Sequence, residues 1–136
     1  MQRRTLLLAL MLVPSIAPAP SIVWAGEAEE KKKGGGLDYI QISPLTATLM
    51  RPNGQHGVLT VETGVDVPDK ALHKLAEAST PRLRAAYANV VMTYAGSLSP
   101  GSPPNADYLS RELQRQTDLV LGRPGAKLLL GTILVN

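Results

Sequence analysis

Residues 51–67 read RPNGQHGVLTVETGVDV and predict a β-hairpin at the centre of the fold. Asn53-Gly54 accepts positive φ at little cost, as a tight hairpin turn requires. From Leu59 to Val67 apolar side chains alternate with polar ones, which is typical of a strand with one buried face and one solvent-facing side. The chain before the turn is therefore expected to supply the other strand of the hairpin.

That preceding strand has apolar residues at alternating positions, but in two phases. Ile40 and Ile42 occupy even positions, whereas the apolar residues between 45 and 49 occupy odd positions. The phase changes at Ser43-Pro44. An extra residue in one strand moves all the following side chains to the opposite face, and proline cannot donate a hydrogen bond to a neighbouring strand. We therefore predict a β-bulge at Ser43-Pro44.

A helix is predicted from Pro68 to Ala95. Proline suits the first helical turn, and Asp69 there complements the helix dipole. The sequence Ser79-Thr80-Pro81 offers a hydroxyl cap followed by proline, so we predict that the helix breaks or kinks there and restarts. The residues expected to face inward are Leu72, Leu75, Ser79, Leu83, Ala86, Tyr87, Val90 and Tyr94.

A second helix is predicted from about Asn105 to Leu121, after the loop 96–104. Leu109, Leu113 and Val120 are expected to face inward. Gly122 and Pro124 follow and end the helix.

The segment 126–135 reads AKLLLGTILV and predicts a strand buried on both faces, because it is almost continuously apolar. Strict alternation places Leu128, Leu130 and Thr132 on one face and Leu129, Gly131, Ile133 and Val135 on the other. The fold class is therefore a small α+β domain in the order β-β-α-α-β, with helices packed on one face of the sheet. Because the opposite face would be bare, a homo-oligomer is expected.

Residues 1–25 have the layout of an export signal, with a positively charged start, an apolar run and small residues before a signal-peptidase cleavage site. Val23 and Ala25 suit cleavage after Ala25. Arg3 and Arg4, followed by Thr5-Leu6-Leu7, resemble the twin-arginine export motif, although the general secretory route remains open.

An alternative is that residues 6–24 are retained as a membrane anchor, because their length approaches that of a spanning helix. Three prolines in the second half of the segment oppose this alternative. Residues 26–36 (GEAEEKKKGGG) are charged and then glycine-rich, which predicts a solvated tether to the domain at 37–136.

Composition excludes several kinds of function. The chain has no cysteine, which rules out disulfides, a thiolate zinc site and a cysteine nucleophile. Of its 14 basic side chains, two arginines belong to the leader, leaving 12 against 11 acidic ones. So small an excess gives no reason to expect nucleic acid as a partner.

No catalytic, cofactor or metal-binding constellation is recognisable in the sequence. His56 falls in the hairpin turn and His73 on the first helix, and nothing places a nucleophile or further ligands beside them. We therefore expect both histidines to face solvent. Arg82 and Arg84 project in different directions from the restarted helix and are candidates for an interaction surface.

Several segments resemble the flagellar basal-body-associated FliL family. The similar segments are 37–40 (LDYI), 45–49, 57–61 (GVLTV), 81–86 (PRLRAA), 130–136 (LGTILVN) and the tether 26–36. The resemblance spans about residues 37–136. FliL-type proteins usually keep an N-terminal transmembrane helix, whereas residues 1–25 of this chain have the layout of an export signal.

The resemblance implies a non-enzymatic periplasmic domain with a fold related to stomatin. It also implies rings around the stator of the flagellar motor, and therefore flagellar stator or basal-body proteins as partners in motility. The anchored alternative would place the domain on the periplasmic side of the inner membrane. A separate alternative, independent of the resemblance, is a soluble periplasmic module that binds a small envelope ligand between the hairpin and loop 96–104.

Overall fold

A computed structural model describes residues 36–136 of the chain. The described residues form a small α+β fold in which three antiparallel strands lie in the order β1-β2-β3. The elements are β1 (Tyr39–Met50), β2 (His56–Asp66), α1 (Lys70–Ala78), α2 (Thr80–Ser97), α3 (Ala106–Leu121) and β3 (Lys127–Val135). The predicted fold class is confirmed, with three helices in place of two.

The predicted hairpin and its bulge are both confirmed. Gly54 has φ 79°, the left-handed conformation expected of the turn. Ile42 pairs with Thr63 and Leu45 with Val61, so Ser43-Pro44 adds one residue to β1. The bulge keeps the apolar side chains of both halves of β1 on the buried face.

The predicted break near Pro81 is confirmed, and it divides the expected single helix into α1 and α2 at Ser79. Pro81 has no N–H to give to the carbonyl four residues earlier, so the α-helical ladder cannot run through it. The first helix begins later than predicted. Asp69 is its N-cap, and the Asp69 carboxylate accepts a hydrogen bond of 2.8 Å from the Leu72 N–H.

The expected hydroxyl cap at Ser79 is wrong. Ser79 precedes α2 but makes no side-chain capping bond, because its ψ of 2° is not the extended conformation that an N-cap adopts. Thr80 instead donates its hydroxyl to the Ala76 carbonyl. Ala76 and Leu72 are the two buried residues of α1, so Leu72 faces inward as predicted, whereas Leu75, also predicted to face inward, is 43% exposed.

The last helix agrees closely with its prediction. Asn105 caps α3 by accepting a hydrogen bond from the Tyr108 N–H, and Gly122 ends it with φ 77°. The buried residues of α3 are Leu109, Leu113, Thr117 and Leu121. Val120, predicted to face inward, is only partly buried against the core.

The prediction that β3 is buried on both faces is wrong. Leu130 pairs with Thr63 and Ile133 with Val61, so Gly131-Thr132 forms a second irregularity opposite Glu62, at the level where β1 is also bulged. The irregularity moves Ile133 and Val135 to the same face as Leu128 and Leu130. Strict alternation had placed them on the opposite face.

The helices cover one face of the sheet, which we call the inner face. The largest side chain of the resulting core is Tyr87, on α2, which is fully buried. Its hydroxyl forms a hydrogen bond with Thr117 of α3, and the Thr117 hydroxyl donates to the Leu113 carbonyl at 2.8 Å. Since Thr117 donates its proton to Leu113, Tyr87 is the donor in the bond between the two helices.

Thr63, on the inner face of β2, is a polar residue without a partner in the core. Its hydroxyl oxygen is buried and forms no hydrogen bond within residues 36–136. We expect Thr63→Val, which nearly preserves the volume and suits a strand, to raise the free energy of unfolding by about 1 kcal/mol. Urea unfolding followed by circular dichroism measures the change, and a loss of stability would show that the hydroxyl has a partner.

Candidate interaction surface

The outer face of the sheet, opposite the helices, is covered by no other element within residues 36–136. Strand register assigns side chains to it, because partners in an antiparallel ladder lie on the same face. The outer-face residues of the ladder are Tyr39, Gln41, Thr46, Thr48 and Met50 on β1, His56, Val58, Thr60, Glu62, Gly64 and Asp66 on β2, and Lys127, Leu129 and Leu134 on β3.

One half of the outer face carries no Asp, Glu, Lys or Arg. We call it the neutral patch, and it consists of Thr46, Thr48, Met50, Val58, Thr60 and Leu134. Thr60 lies between Thr46 and Leu134, and Val58 lies beside Thr48, so the patch is continuous across all three strands. Met50 and Val58 are each 43% exposed and Leu134 is 51% exposed. Such a continuous, uncharged surface is suited to contact with another protein.

The other half of the outer face is organised around Tyr39. Its ring lies directly over Gly64, where a β-carbon would collide with the ring. The Tyr39 hydroxyl donates to Gln41 at 3.1 Å. Burial of the ring, together with the negative charge of Glu62, raises the pKa of Tyr39, so this phenol stays neutral. A glycine inside a strand signals such a close approach, and this signal was available in the sequence.

The two candidate arginines do not form one site. Arg82, at the start of α2, donates to the Val120 carbonyl at 3.3 Å, near the C-terminal end of α3. The C-terminal end of a helix is favourable for a cation because its carbonyl groups carry partial negative charge. The bond from Arg82 therefore helps to join α2 and α3. Arg84 is exposed two residues further on. Neither residue lies on the sheet, so the outer face does not include them.

The two histidines lie in different surroundings. His56 is exposed at the start of β2, as expected. His73 is not simply solvent-facing: its Nδ1 lies 3.3 Å from the Val67 carbonyl oxygen and its Nε2 lies 3.2 Å from a carboxylate oxygen of Glu77. These contacts hold the ring between α1 and the end of β2. Residues 36–136 contain no cluster of three or more His, Asp or Glu side chains that could hold a metal ion.

Cavities open on the surface of the described domain. One, of about 390 Å³, is a groove between α2 and α3, where the rings of Tyr94 and Tyr108 stack with centroids 5.5 Å apart. Glu112 lines it and pairs with Arg115, whose hydrogen bond lowers the pKa of the Glu112 carboxyl.

A smaller cavity, of about 250 Å³, lies between the hairpin end and the loop after α2. Leu49, Met50 and Pro52 contribute one side, and Leu98 and Pro103 contribute the other. The cavity is therefore mainly apolar. It lies where the sequence suggested a small-ligand site, next to the neutral patch with which it shares Met50.

No helix within residues 36–136 is long and apolar enough to cross a membrane. The predicted cleavage site at Ala25, the export motif at Arg3 and Arg4, and the anchor segment 6–24 lie outside the described residues. Most of the predicted tether does as well. Comparison of the chain with models of known protein families finds no match, and comparison with curated proteins finds none either.

Proposed function

We propose that this chain is a non-enzymatic, exported interaction domain that associates with further copies of itself through the outer face of its sheet. The neutral patch carries this proposal. It exposes Met50, Val58 and Leu134, one on each of the three strands, with no charged side chain among its residues. Burying a fully exposed side chain of this size is worth about 1.5–3 kcal/mol, and because these three side chains are already about half buried, covering the patch gains about half of that for each.

The proposed setting is the periplasm, where the assembled domain would serve as an accessory of the flagellar motor and its stator. Two things support this setting: the export layout of residues 1–25 and the similarity of residues 37–136 to the FliL family. The α+β fold, with a hairpin and a C-terminal strand in one sheet, is compatible with that similarity. Flagellar genes beside the coding gene would support the motor role, and neighbours of unrelated function would count against it.

Self-association predicts a concentration-dependent oligomer that a charge on the patch weakens. We expect the exported protein to sediment as oligomers at high concentration, and Leu134→Asp to shift it towards monomer, because a carboxylate is costly to bury without a partner. Leu119→Asp is the matched control, since Leu119 is an exposed leucine (63%) on α3 and lies off the sheet.

A protein that stays monomeric up to millimolar concentration would contradict the proposal. Equal weakening by both variants would show that association does not depend on the outer face.

The cavity of about 250 Å³ favours a second candidate function, the binding of a small apolar envelope ligand. The specific observation that favours this function is that both the hairpin end and the loop 98–104 line the cavity. A ligand that binds only the folded protein raises its melting temperature by mass action. A monomeric protein whose melting temperature rises with an envelope component would therefore favour this candidate over self-association.

A further inference from the structure

Strand β3 has hydrogen-bonding groups directed at its unpaired edge. Its last residues are anchored to β2 by two bonds: the Val58 N–H donates to the Asn136 carbonyl at 2.9 Å, and the Asn136 N–H donates to the Val58 carbonyl at 3.0 Å. Bonded and non-bonded pairs alternate along an antiparallel ladder. The N–H and C=O groups of Val135 and Ile133 therefore point away from β2, towards the free edge.

The beginning of the same edge is covered by α3. The Gln114 side chain accepts a hydrogen bond from the Leu128 N–H and donates one to the Ala126 carbonyl, both at 2.8 Å. Within residues 36–136 no side chain does the same for Ile133 or Val135. In the described domain, α3 thus covers the beginning of this edge, and the last part is left open.

The open part also lacks the usual protection of edge strands. Natural edge strands avoid further pairing through charged side chains or proline, but residues 128–136 contain neither. The opposite edge, on β1, differs in two respects. Pro44 has no N–H, so the row of backbone donors along β1 is interrupted there. The outer-face side chains that follow on β1 are the threonines Thr46 and Thr48, whose exposure to solvent costs little free energy.

We propose that the free edge of β3 at residues 133–135 pairs with the same segment of a second copy, in antiparallel orientation about a two-fold axis. This inference rests on the proposed function and identifies the residues through which two copies make contact. Two identical uncharged strands oppose no like charges when they pair. The pairing joins the two neutral patches through Leu134, covers the exposed Val135, and closes as a symmetric dimer.

Proline substitutions test the edge directly. Val135→Pro removes an edge N–H from each copy without removing a bond to β2, and we expect it to raise the dimer dissociation constant about tenfold or more. Thr48→Pro tests the other edge of the sheet. Because its partner Val58 bonds to Asn136, the Thr48 N–H points towards the free edge of β1, so this variant keeps every edge N–H of β3. Since Thr48 also belongs to the neutral patch, we expect Thr48→Pro to weaken the dimer less than Val135→Pro does.

The outcomes separate this inference from the proposed function. If Val135→Pro dimerises as the wild type does while Leu134→Asp is weakened, the edge pairing is wrong and self-association through the outer face stands. If Thr48→Pro is weakened as much as Val135→Pro, the strands pair β3 to β1 and the two-fold arrangement is wrong. A monomeric wild type defeats both proposals.

Cysteine cross-linking provides a second readout should Val135→Pro fail to fold. The chain has no cysteine, so single cysteines can be placed in turn at 133, 134 and 135. Paired residues share a face, so one residue of a two-fold antiparallel pair faces its own copy. We expect that residue to form a disulfide-linked dimer on mild oxidation, and a cysteine at Thr48 to remain reduced. A dimer in which none of the three positions cross-links would overturn the pairing.

Discussion

Tyr87→Ala is expected to lower the free energy of unfolding by about 3–5 kcal/mol, because it empties the largest fully buried side-chain volume in the described domain. The ring lies on α2 within the core, and its hydroxyl is bonded to Thr117 of α3. Truncation therefore creates a cavity and removes the polar link between two helices. A domain of this size has a total stability of about 5–15 kcal/mol, so part of the population could unfold at ambient temperature.

Tyr87→Phe is the matched control because it keeps the ring and removes only the hydroxyl. Thr117 still donates to the Leu113 carbonyl in this variant, so we expect a loss of about 1 kcal/mol. Urea unfolding followed by circular dichroism compares both variants with the wild type. Equal losses for the two variants would mean that the hydrogen bond, and not the packing of the ring, dominates at this position.

The second large effect is expected at alkaline pH. Burial raises the pKa of Tyr87 to about 12, with the hydrogen bond between Tyr87 and Thr117 opposing the shift and the negative charge of Asp118 adding to it. An unfolded tyrosine ionises near about 10. Above that pH the unfolded chain releases a proton that the folded chain keeps, so ionisation favours unfolding and stability falls as the pH rises.

The expected loss attributable to Tyr87 is about 2–3 kcal/mol between about pH 10 and pH 12, since one pKa unit corresponds to about 1.4 kcal/mol. The measurement is the difference in stability between the wild type and Tyr87→Phe, because that difference isolates the contribution of the Tyr87 hydroxyl. The variant should lose less stability over the same interval. Parallel stability curves for the two proteins would show that Tyr87 ionises equally readily in the folded and unfolded states.

Local signals in the sequence were sufficient for most of the fold. The hairpin follows from Asn53-Gly54 and the alternation after it, and the bulge follows from the change of phase at Ser43-Pro44. The helix break near Pro81 is also local, since a missing N–H acts on its own turn. The placement of inward residues on the first helix was less accurate, because it assumed one continuous period through Ser79.

The candidate surface was only partly predictable. A bare outer face follows from counting helices and strands. Which residues of β3 lie on that face was not predicted, because strict alternation separates Ile133 and Val135 from Leu128 and Leu130, whereas the observed register places all four on the inner face. The second irregularity at Gly131-Thr132 has no proline to mark it, and the apolar residues around it show no change of phase.

The sequence by itself determined the order of strands and helical segments, the turn, the bulge in β1 and the end of α3 at Gly122. Each of these depends on the conformational preferences of a few neighbouring residues. Only the tertiary structure decided the register of β3 against β2, the cover that Gln114 gives to Leu128, and the position of Tyr39 over Gly64. These contacts join residues far apart in the chain, and local preferences do not select the partners.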